Sequence, residues 1–207
     1  MIDLCFIVTA ASPVPADHGY HLYAAVSRML PTIHQANGIG IHPIRGRLIG
    51  DRQMELCDWS RLSIRVAPER IGEFLPLAGK QLNLAGRSIR VGVPEVHAIT
   101  PSTELRSRLV TIKVSVREGD ESLPPDESTF LAAARRQLDA LGISPEVEIS
   151  AGKRRTLRIK DKEVVGYELL ASALSAADSL ALQGHGMGGR RHMGCGIFVP
   201  IERESIQ

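Results

Sequence analysis

The sequence predicts an α+β protein made of two consecutive ferredoxin-like (β-α-β-β-α-β) units, the second less regular, with a C-terminal glycine-rich loop. Three observations predict this class. Segments with apolar residues at every second position alternate with segments at helical spacing. The same order of elements begins again after an irregular stretch that contains proline and hydroxyl residues. A chain of 207 residues with 43% hydrophobic content can also bury a substantial core.

The first unit begins with an apolar segment that is typical of a strand. Tyr20, Tyr23 and Leu30 then recur at helical spacing, and Pro31 marks the end of that helix. Pro68 starts a second helix. In chain order we expect a strand Ile2–Thr9, a helix Asp17–Leu30, strands Gly38–Ile44 and Leu62–Val66, a helix Ala67–Leu77, and a strand or hairpin Leu82–Val93.

The second unit opens with the alternating run VTIKVSV and contains two helices. Asp126 or Ser128 is expected to cap the first helix, and Gly142 to end it. The dipeptides Gly152-Lys153 and Asp161-Lys162 mark turns. The expected elements are a strand Leu109–Val116, a helix Ser128–Leu141, strands Val147–Ile149, Thr156–Lys160 and Val164–Leu170, a helix Ser172–Leu182, and a strand Ile197–Ile201.

The segment Pro94–Arg106 is irregular in pattern and reads as a linker between the two units. We therefore expect an N-terminal ferredoxin-like domain over residues 1–95. A C-terminal ferredoxin-like domain over residues 107–207 carries the glycine-rich loop.

Composition limits the class of protein and its compartment. The net charge of +2 excludes a uniformly basic surface. An apolar run near 18 residues is absent from the sequence, so we expect no membrane span. The start of the chain lacks a basic leading region and reads as a strand rather than a signal peptide. Three widely separated cysteines argue against a disulfide scaffold and favour a cytoplasmic protein.

The stretch GHGMGGRRHMGCG, from Gly184 to Gly196, concentrates backbone freedom and positive charge. Glycine costs conformational entropy, so this density suggests positive φ angles or close approach of the backbone to a ligand. Gly-Lys-Ser/Thr does not follow the glycines, which excludes a nucleotide-binding P-loop. His185, His192 and Cys195 lack the paired spacing of a zinc site, so we expect no metal and no cofactor.

This stretch also carries a resemblance to a known family. GMGGRRHMGCG fits the pattern G-h-G, five residues that include a base, and G-h-G again. Such a loop near the end of a double ferredoxin-like chain resembles that of CRISPR-associated repeat-RNA-binding proteins, and more narrowly the Cas6 endoribonucleases that process precursor CRISPR RNA. In that family the catalytic histidine commonly follows the first helix, the place that His34 occupies here. Eight residues later, His42 competes for the role.

The chemistry that this resemblance implies can run without a metal. The 2′-hydroxyl of the RNA loses a proton as it attacks the adjacent phosphorus, and the leaving 5′-oxygen gains one. An imidazole performs either transfer near neutral pH. The alternative for His34 is a helix-terminal histidine that interacts with unpaired carbonyl groups. For His42 the alternative is a strand residue that faces solvent or a neighbour.

Several basic residues are candidates for contact with RNA phosphate. The run KRRTLRIK, Lys153 to Lys160, carries five positive charges and no acid. It is equally typical of a solvated hairpin surface. The candidate RNA-binding residues are Arg154, Arg155, Arg158 and Lys160 of this run, and Arg190, Arg191, His192, Gly186, Gly188, Gly194 and Gly196 of the loop.

The resemblance implies an endoribonuclease that cleaves CRISPR repeat RNA to give 5′-hydroxyl and 2′,3′-cyclic phosphate ends. Its implied partners are the repeat RNA, the mature crRNA and other subunits of a crRNA-guided effector complex. Two alternatives remain open. One is a non-catalytic RNA-binding subunit of an effector complex, and the other is an unrelated α+β enzyme that acts on a small molecule.

Overall fold

The computed structural model describes residues 1–35, 38–113 and 126–201, and only the backbone of His34 and Gln35. Within these residues the chain is mixed α/β, with antiparallel sheets and four α-helices, which confirms the predicted class at that level. It divides into two units. The first comprises Met1–Ile99, Leu157–Lys162 and His192–Gly194, and the second comprises Thr100–Thr156, Glu163–Arg191 and Cys195–Gln207.

The first part of the chain contains eight strands and two helices among its described residues. They are β1 Ile2–Ala10, β2 Val14–Pro15, α1 Gly19–Met29, a 3₁₀ turn Pro31–Gln35, β3 Gly40–Ile41, β4 Arg47–Gly50, β5 Gln53–Glu55, β6 Arg61–Val66, a 3₁₀ turn Pro68–Arg70, α2 Ile71–Phe74, a 3₁₀ turn Leu75–Leu77, β7 Gln81–Leu84 and β8 Arg87–Ala98. The larger sheet has the order β3-β6-β1-β8-β7, and a smaller sheet has the order β2-β5-β4.

Alternation along β1 decides which side chains reach the core and which reach the opposite face. Leu4 and Phe6 are fully buried, and they pack with Leu22 and Val26 of α1 in one hydrophobic cluster. Asp3 points to the other face of the sheet, where its neighbour across the antiparallel β1–β6 pair is Arg65. The sheet therefore has one apolar face and one face that carries charge.

Three predictions for the first part of the chain need correction. The expected strand Gly38–Ile44 is only Gly40–Ile41. The expected helix Ala67–Leu77 is broken into two 3₁₀ turns around α2, since Pro76 has no N–H to continue a helix. β8 continues to Ala98, through the start of the expected linker. Pro94 is tolerated there because β7 pairs only with Arg87–Arg90, which leaves that edge of β8 open.

The remaining elements are β9 Leu105–Val110, α3 Glu127–Ala140, β10 Glu148–Ile159, β11 Lys162–Ser172, α4 Ala176–His185, a 3₁₀ turn Arg191–Met193 and β12 Val199–Pro200. Their sheet has the order β10-β11-β9-β12. Asp126 is confirmed as the N-cap of α3, because its side chain accepts a hydrogen bond from the Thr129 N–H at 2.8 Å. Phe130 and Leu138 of this helix are fully buried.

Other boundaries in this part differ from the prediction. β9 begins at Leu105 and ends at Val110, because LRSRLV alternates as well as the run that follows, and Val114 and Val116 lie outside the described residues. The predicted turn at Gly152-Lys153 is wrong, since β10 runs through it. Ser172 belongs to β11, and Ser175 caps α4 instead. In the described residues, no helix has the length and apolar character needed to span a bilayer.

Candidate functional site

The segment that carries His34 follows the first helix directly. The 3₁₀ turn Pro31–Gln35 is joined to α1 by a hydrogen bond from the Ile33 N–H to the Leu30 carbonyl at 3.1 Å. Ile33 is 5% exposed and anchors this turn in the core. The backbone of His34 is thereby placed beside a core residue, and its side chain lies outside the described residues.

His42 lies immediately after β3 and takes part in a half-buried charge cluster. Its Nε2 is 3.4 Å from Oδ1 of Asp3, and its backbone N–H donates to the Ser63 carbonyl at 2.9 Å. Arg65 donates to the same carboxylate through Nε at 2.8 Å and Nη2 at 2.7 Å. The Arg65 side chain is 1% exposed. We call these three residues the Asp3 cluster.

The Asp3 cluster holds its carboxylate in the charged form. Burial raises the pKa of Asp3, but hydrogen bonds from Arg65 and His42 lower it by more, so the pKa lies well below its usual value of 3.8. A stable carboxylate fixes the imidazole of His42 in one orientation. That arrangement suits a structural ion pair, because it directs Nε2 of the second catalytic candidate toward a carboxylate of the protein itself.

Two further histidines belong to the same part of the chain. His18 is 2% exposed. Its Nδ1 lies 2.9 Å from the Pro15 carbonyl, and its Nε2 accepts the Ile44 N–H at 2.9 Å. Because Nε2 is an acceptor, the proton resides on Nδ1 and the ring is neutral. His18 thus ties the start of α1 to the segment that follows His42, while His21 makes an edge contact with Tyr20 at 5.6 Å.

A short part of the glycine-rich stretch packs in the first unit, against α1. The ring of His192 lies 4.2 Å from the ring of Tyr23, with an angle of 46° between the planes. A Cβ atom at Gly194 would lie only 2.6 Å from Cγ of Pro43, so a side chain there would displace the segment next to His42. His192 is therefore held beside the first helix rather than on a free loop.

The glycines of the stretch adopt conformations that other residues avoid. The φ angles of Gly186, Gly188, Gly194 and Gly196 are 67°, 70°, 87° and 64°. A Cβ atom at Gly196 would also overlap the carbonyl oxygen of Met187. Positive φ and close backbone approach thus explain the glycine content.

The N–H groups of this stretch donate to the protein itself. The Gly188 N–H donates to Oε1 of Gln137 at 2.8 Å, and the Gly189 N–H donates to the Thr111 carbonyl at 2.9 Å. The Gly196 N–H donates to the Leu109 carbonyl at 2.7 Å. These donors are not directed at an external anion. The exposed basic group of the stretch is the side chain of Arg190, whose own φ is 64°.

The basic run lies on the end of β10 and in the turn after it. Arg154 and Arg158 are exposed strand residues, and Lys160 is an exposed turn residue with a φ of 53°. The Arg158 N–H donates to Asp17 at 3.1 Å, and its Nε donates to the Lys160 carbonyl at 3.3 Å. Arg155 differs from its neighbours, because it faces a carboxylate.

That carboxylate is Glu168 of β11, which the sequence did not single out. Its side chain is 9% exposed, and it accepts an ion pair from Nε of Arg106 on β9. Nη2 of Arg155 lies 3.8 Å from Oε2, and the Lys153 N–H donates to the same oxygen at 3.3 Å. We call Glu168, Arg106 and Arg155 the Glu168 cluster. The alternation of LRSRLV, which exposes Arg106 and Arg108, was the available signal.

Metal-ligating side chains do not gather in the described ranges: a group of three or more His, Cys, Asp or Glu residues suited to a metal ion is not found there. His185 illustrates the point, since its Nδ1 contacts the Ala181 carbonyl at 3.1 Å within its own helix.

Comparison with known proteins gives one family. A family model described as Cas6 Crispr matches residues 2–203. Among curated proteins, the chain is similar to the CRISPR-associated endonuclease Cas6 of Myxococcus xanthus (strain DK1622). The identity is 41% over 202 residues, which cover 98% of this chain and 82% of that protein.

Solved structures share the fold at low identity. One comes from the characterization of a Cas6-related gene from Pyrococcus furiosus, with 16% identity, a TM-score of 0.72, and coverage of 98% of this chain and 99% of that one. A RAMP protein binding different RNA substrates has 16% identity and a TM-score of 0.72, over 97% and 99% of the two chains. The CRISPR endoribonuclease Cse3 bound to 19 nt RNA has 12% identity and a TM-score of 0.54, over 95% and 96%.

Proposed function

This chain belongs to the Cas6 family, and from that premise we propose that it is a metal-independent endoribonuclease that cleaves CRISPR repeat RNA. The observation that carries the proposal is its near full-length similarity to a curated Cas6 endonuclease. The placement of His192 and Gly194 against the first unit supports it, because this places part of the glycine-rich stretch beside the helix that leads to His34.

The proposed reaction is an internal phosphoryl transfer. The 2′-oxygen attacks the adjacent phosphorus, the bond to the 5′-oxygen breaks, and the products are a 2′,3′-cyclic phosphate and a 5′-hydroxyl. The proton of the 2′-hydroxyl goes to a base, and the 5′-oxygen takes one from an acid. The proposed mechanism does not need a metal ion to activate a water molecule, because the nucleophile is the 2′-hydroxyl of the substrate itself.

We propose His34 as the imidazole that transfers a proton. His42 is the second candidate, but its Nε2 faces the Asp3 carboxylate, which already accepts two hydrogen bonds from Arg65. A histidine held in this way supports the β3 segment more readily than it serves a substrate. We therefore give His42 a structural part and His34 the chemistry.

RNA contact is proposed for basic residues of the run Lys153–Lys160 and of the glycine-rich stretch. Arginines and a lysine stabilise the negative charge that accumulates at phosphorus and bind the backbone of an A-form hairpin. The proposed contacts are Arg154, Arg155, Arg158, Lys160, Arg190, Arg191 and His192, with Gly186, Gly188, Gly194 and Gly196 shaping the loop. The hairpin product stays bound and passes into a crRNA-guided effector complex in the cytoplasm.

We also propose that the two sheets belong to ferredoxin-like domains over residues 1–95 and 107–207. The order β10-β11-β9-β12 is the 2-3-1-4 order of a β-α-β-β-α-β unit, and β3-β6-β1-β8 follows the same order within the larger sheet.

The test is cleavage of repeat RNA in excess EDTA, with the ends mapped, under single-turnover conditions. The unaltered protein is expected to leave 5′-hydroxyl and 2′,3′-cyclic phosphate ends. His34→Ala should bind RNA normally and cut about 10²–10⁴-fold more slowly, because a proton-transfer group acts mainly in the transition state. His97→Ala is the matched control, as His97 is an exposed histidine of β8 whose Nε2 lies 3.4 Å from the Glu95 carboxylate.

The outcomes separate the alternatives. Binding without cleavage by the unaltered protein would favour a non-catalytic RNA-binding subunit. Failure to bind repeat RNA would favour an unrelated α+β enzyme. If His42→Gln alone lost cleavage and kept its thermal stability, the catalytic role would pass from His34 to His42.

A further inference from the structure

In the second unit, the Glu168 cluster joins three neighbouring strands through one carboxylate. Arg106 lies on β9, Arg155 on β10 and Glu168 on β11, and the sheet places β11 between the other two. The Glu168 side chain is 9% exposed, whereas those of Arg106 and Arg155 are 47% and 32% exposed. The acid is therefore covered and the two bases face outward.

The backbone is shaped around this carboxylate. The Lys153 N–H donates to Oε2 of Glu168 at 3.3 Å, so one carboxylate oxygen is held by the main chain of β10. A Cβ atom at Gly152 would lie 2.9 Å from the same oxygen and 3.0 Å from Cγ. Only a residue without a side chain leaves Glu168 in this position. That explains why β10 carries a glycine in mid-strand, where glycine weakens a sheet.

The two arginines are not equally bound to it. Arg106 pairs through Nε, while Arg155 approaches only to 3.8 Å and its own Nε is buried with no hydrogen-bond partner among the described residues. A buried donor in that state costs stability. The cluster thus retains an incompletely satisfied guanidinium beside solvent, which is an unfavourable arrangement for an ion pair that serves folding alone.

We infer that Glu168 is a positioning residue that sets the guanidinium groups of Arg106 and Arg155 for contact with the phosphates of the repeat RNA. This inference rests on the proposed function and adds to it two residues, Arg106 and Glu168. The carboxylate does not touch the RNA. It orders the two long side chains before binding, so less conformational entropy is lost when phosphate is bound.

A purely electrostatic role and a positioning role of Glu168 predict opposite effects of Glu168→Gln on RNA affinity, so this substitution distinguishes them. Glu168→Gln removes a negative charge near the RNA, so a purely electrostatic role would tighten binding. Loss of positioning weakens it. We expect Glu168→Gln to raise the Kd for repeat RNA about 10-fold, the size of one good charge-assisted contact. Single-turnover cleavage at saturating protein should stay within about 2-fold, because the cluster is not part of the chemistry.

Gly152→Ala gives a second route to the same end, since it displaces the carboxylate without changing any charge. It should weaken binding in the same direction. In the Arg106→Gln, Arg155→Gln background, Glu168→Gln should have no further effect, because the groups that it positions are gone. Glu148→Gln is the matched control, as Glu148 is an exposed carboxylate on β10.

The unaltered protein provides the reference that separates the two hypotheses. If it binds and cuts repeat RNA while Glu168→Gln and Gly152→Ala bind as tightly or more tightly, the positioning role is overturned and the proposed function stands. If the unaltered protein does not bind repeat RNA, both are overturned. Thermal unfolding of each variant identifies a folding defect, and a Glu168→Gln variant that is fully folded and about 10-fold weaker supports the inference.

Discussion

The two units each contain a carboxylate bound by basic side chains from neighbouring strands, but the burial is reversed. In the Asp3 cluster the arginine is covered: the Arg65 side chain is 1% exposed and that of Asp3 is 19% exposed. In the Glu168 cluster the carboxylate is covered and Arg106 is 47% exposed. The same pair of chemical groups is thus turned inward in one sheet and outward in the other.

The reversal indicates what each cluster can do. A buried guanidinium has exchanged its water for partners within the protein, so it belongs to the folded structure and presents no group to a ligand. An exposed guanidinium on a buried carboxylate keeps part of its surface in water and can bind an anion. Burial of the arginine therefore marks a structural ion pair, and burial of the carboxylate marks one that presents positive charge.

The largest expected effect is on stability, and it tests whether the two clusters differ in energy as they differ in burial. Arg65→Met leaves the Asp3 carboxylate without its bidentate partner and should lower the free energy of unfolding by about 3–5 kcal/mol. Arg106→Met should cost less, about 1–3 kcal/mol, because the covered Glu168 carboxylate loses one partner but keeps Arg155 and the Lys153 N–H. Denaturant unfolding measures both, and equal losses would show that the difference in burial has no energetic meaning.

The contrast between the clusters also shows what the sequence could predict. The apolar segment at the start of the chain predicted the strand Ile2–Thr9, which differs from β1 by one residue. Helix α3 was predicted within one residue at each end because Asp126 and Gly142 are strong boundary signals. Local patterns of this kind are read from neighbouring residues alone.

The Glu168 cluster could not be predicted in that way. Its members meet only through the strand order β10-β11-β9, which no local pattern specifies. Gly152 was mistaken for a turn residue because the reason for glycine, the approach of Glu168, lies on another strand. The same limit applies to His42, whose partner Asp3 is set by the pairing of β1 and β6. Resemblance to a family supplied His34, which remains a prediction.

An effect of intermediate size is expected on the stability that Asp3 contributes at low pH. The pKa of Asp3 is well below 3.8 in the folded protein, since hydrogen bonds from Arg65 and His42 outweigh the effect of burial. A carboxyl whose pKa is lowered by folding stabilises the fold at pH values above its pKa in the unfolded chain. That contribution is lost as the pH falls toward its pKa in the folded protein. The stability difference between the unaltered protein and Asp3→Asn should therefore shrink by on the order of 2 kcal/mol from pH 6 to pH 2.

Unfolding titrations at several pH values measure this difference. A stability gap that stays constant down to pH 2 would contradict the lowered pKa. A gap that shrinks already between pH 6 and pH 5 would point to protonation events other than that of Asp3, because its unfolded value of 3.8 sets the upper limit of the range.

The smallest expected effect on stability concerns Arg154 and Arg158. These two residues test whether an exposed arginine binds RNA without a paired carboxylate. Both are exposed on β10, and no carboxylate pairs with their guanidinium groups within the described part of the chain. The double variant Arg154→Ala, Arg158→Ala should change the free energy of unfolding by less than about 0.5 kcal/mol.

The same double variant tests RNA binding. If each side chain releases a phosphate counterion, the slope of log affinity against log salt for repeat RNA should fall by about 1 per arginine. Arg87→Ala, an exposed arginine on β8, is the control and should leave the slope unchanged. An unchanged slope in the double variant would make Arg154 and Arg158 ordinary surface residues, and outward-facing arginines would then need a carboxylate beside them, as in the Glu168 cluster, to bind RNA.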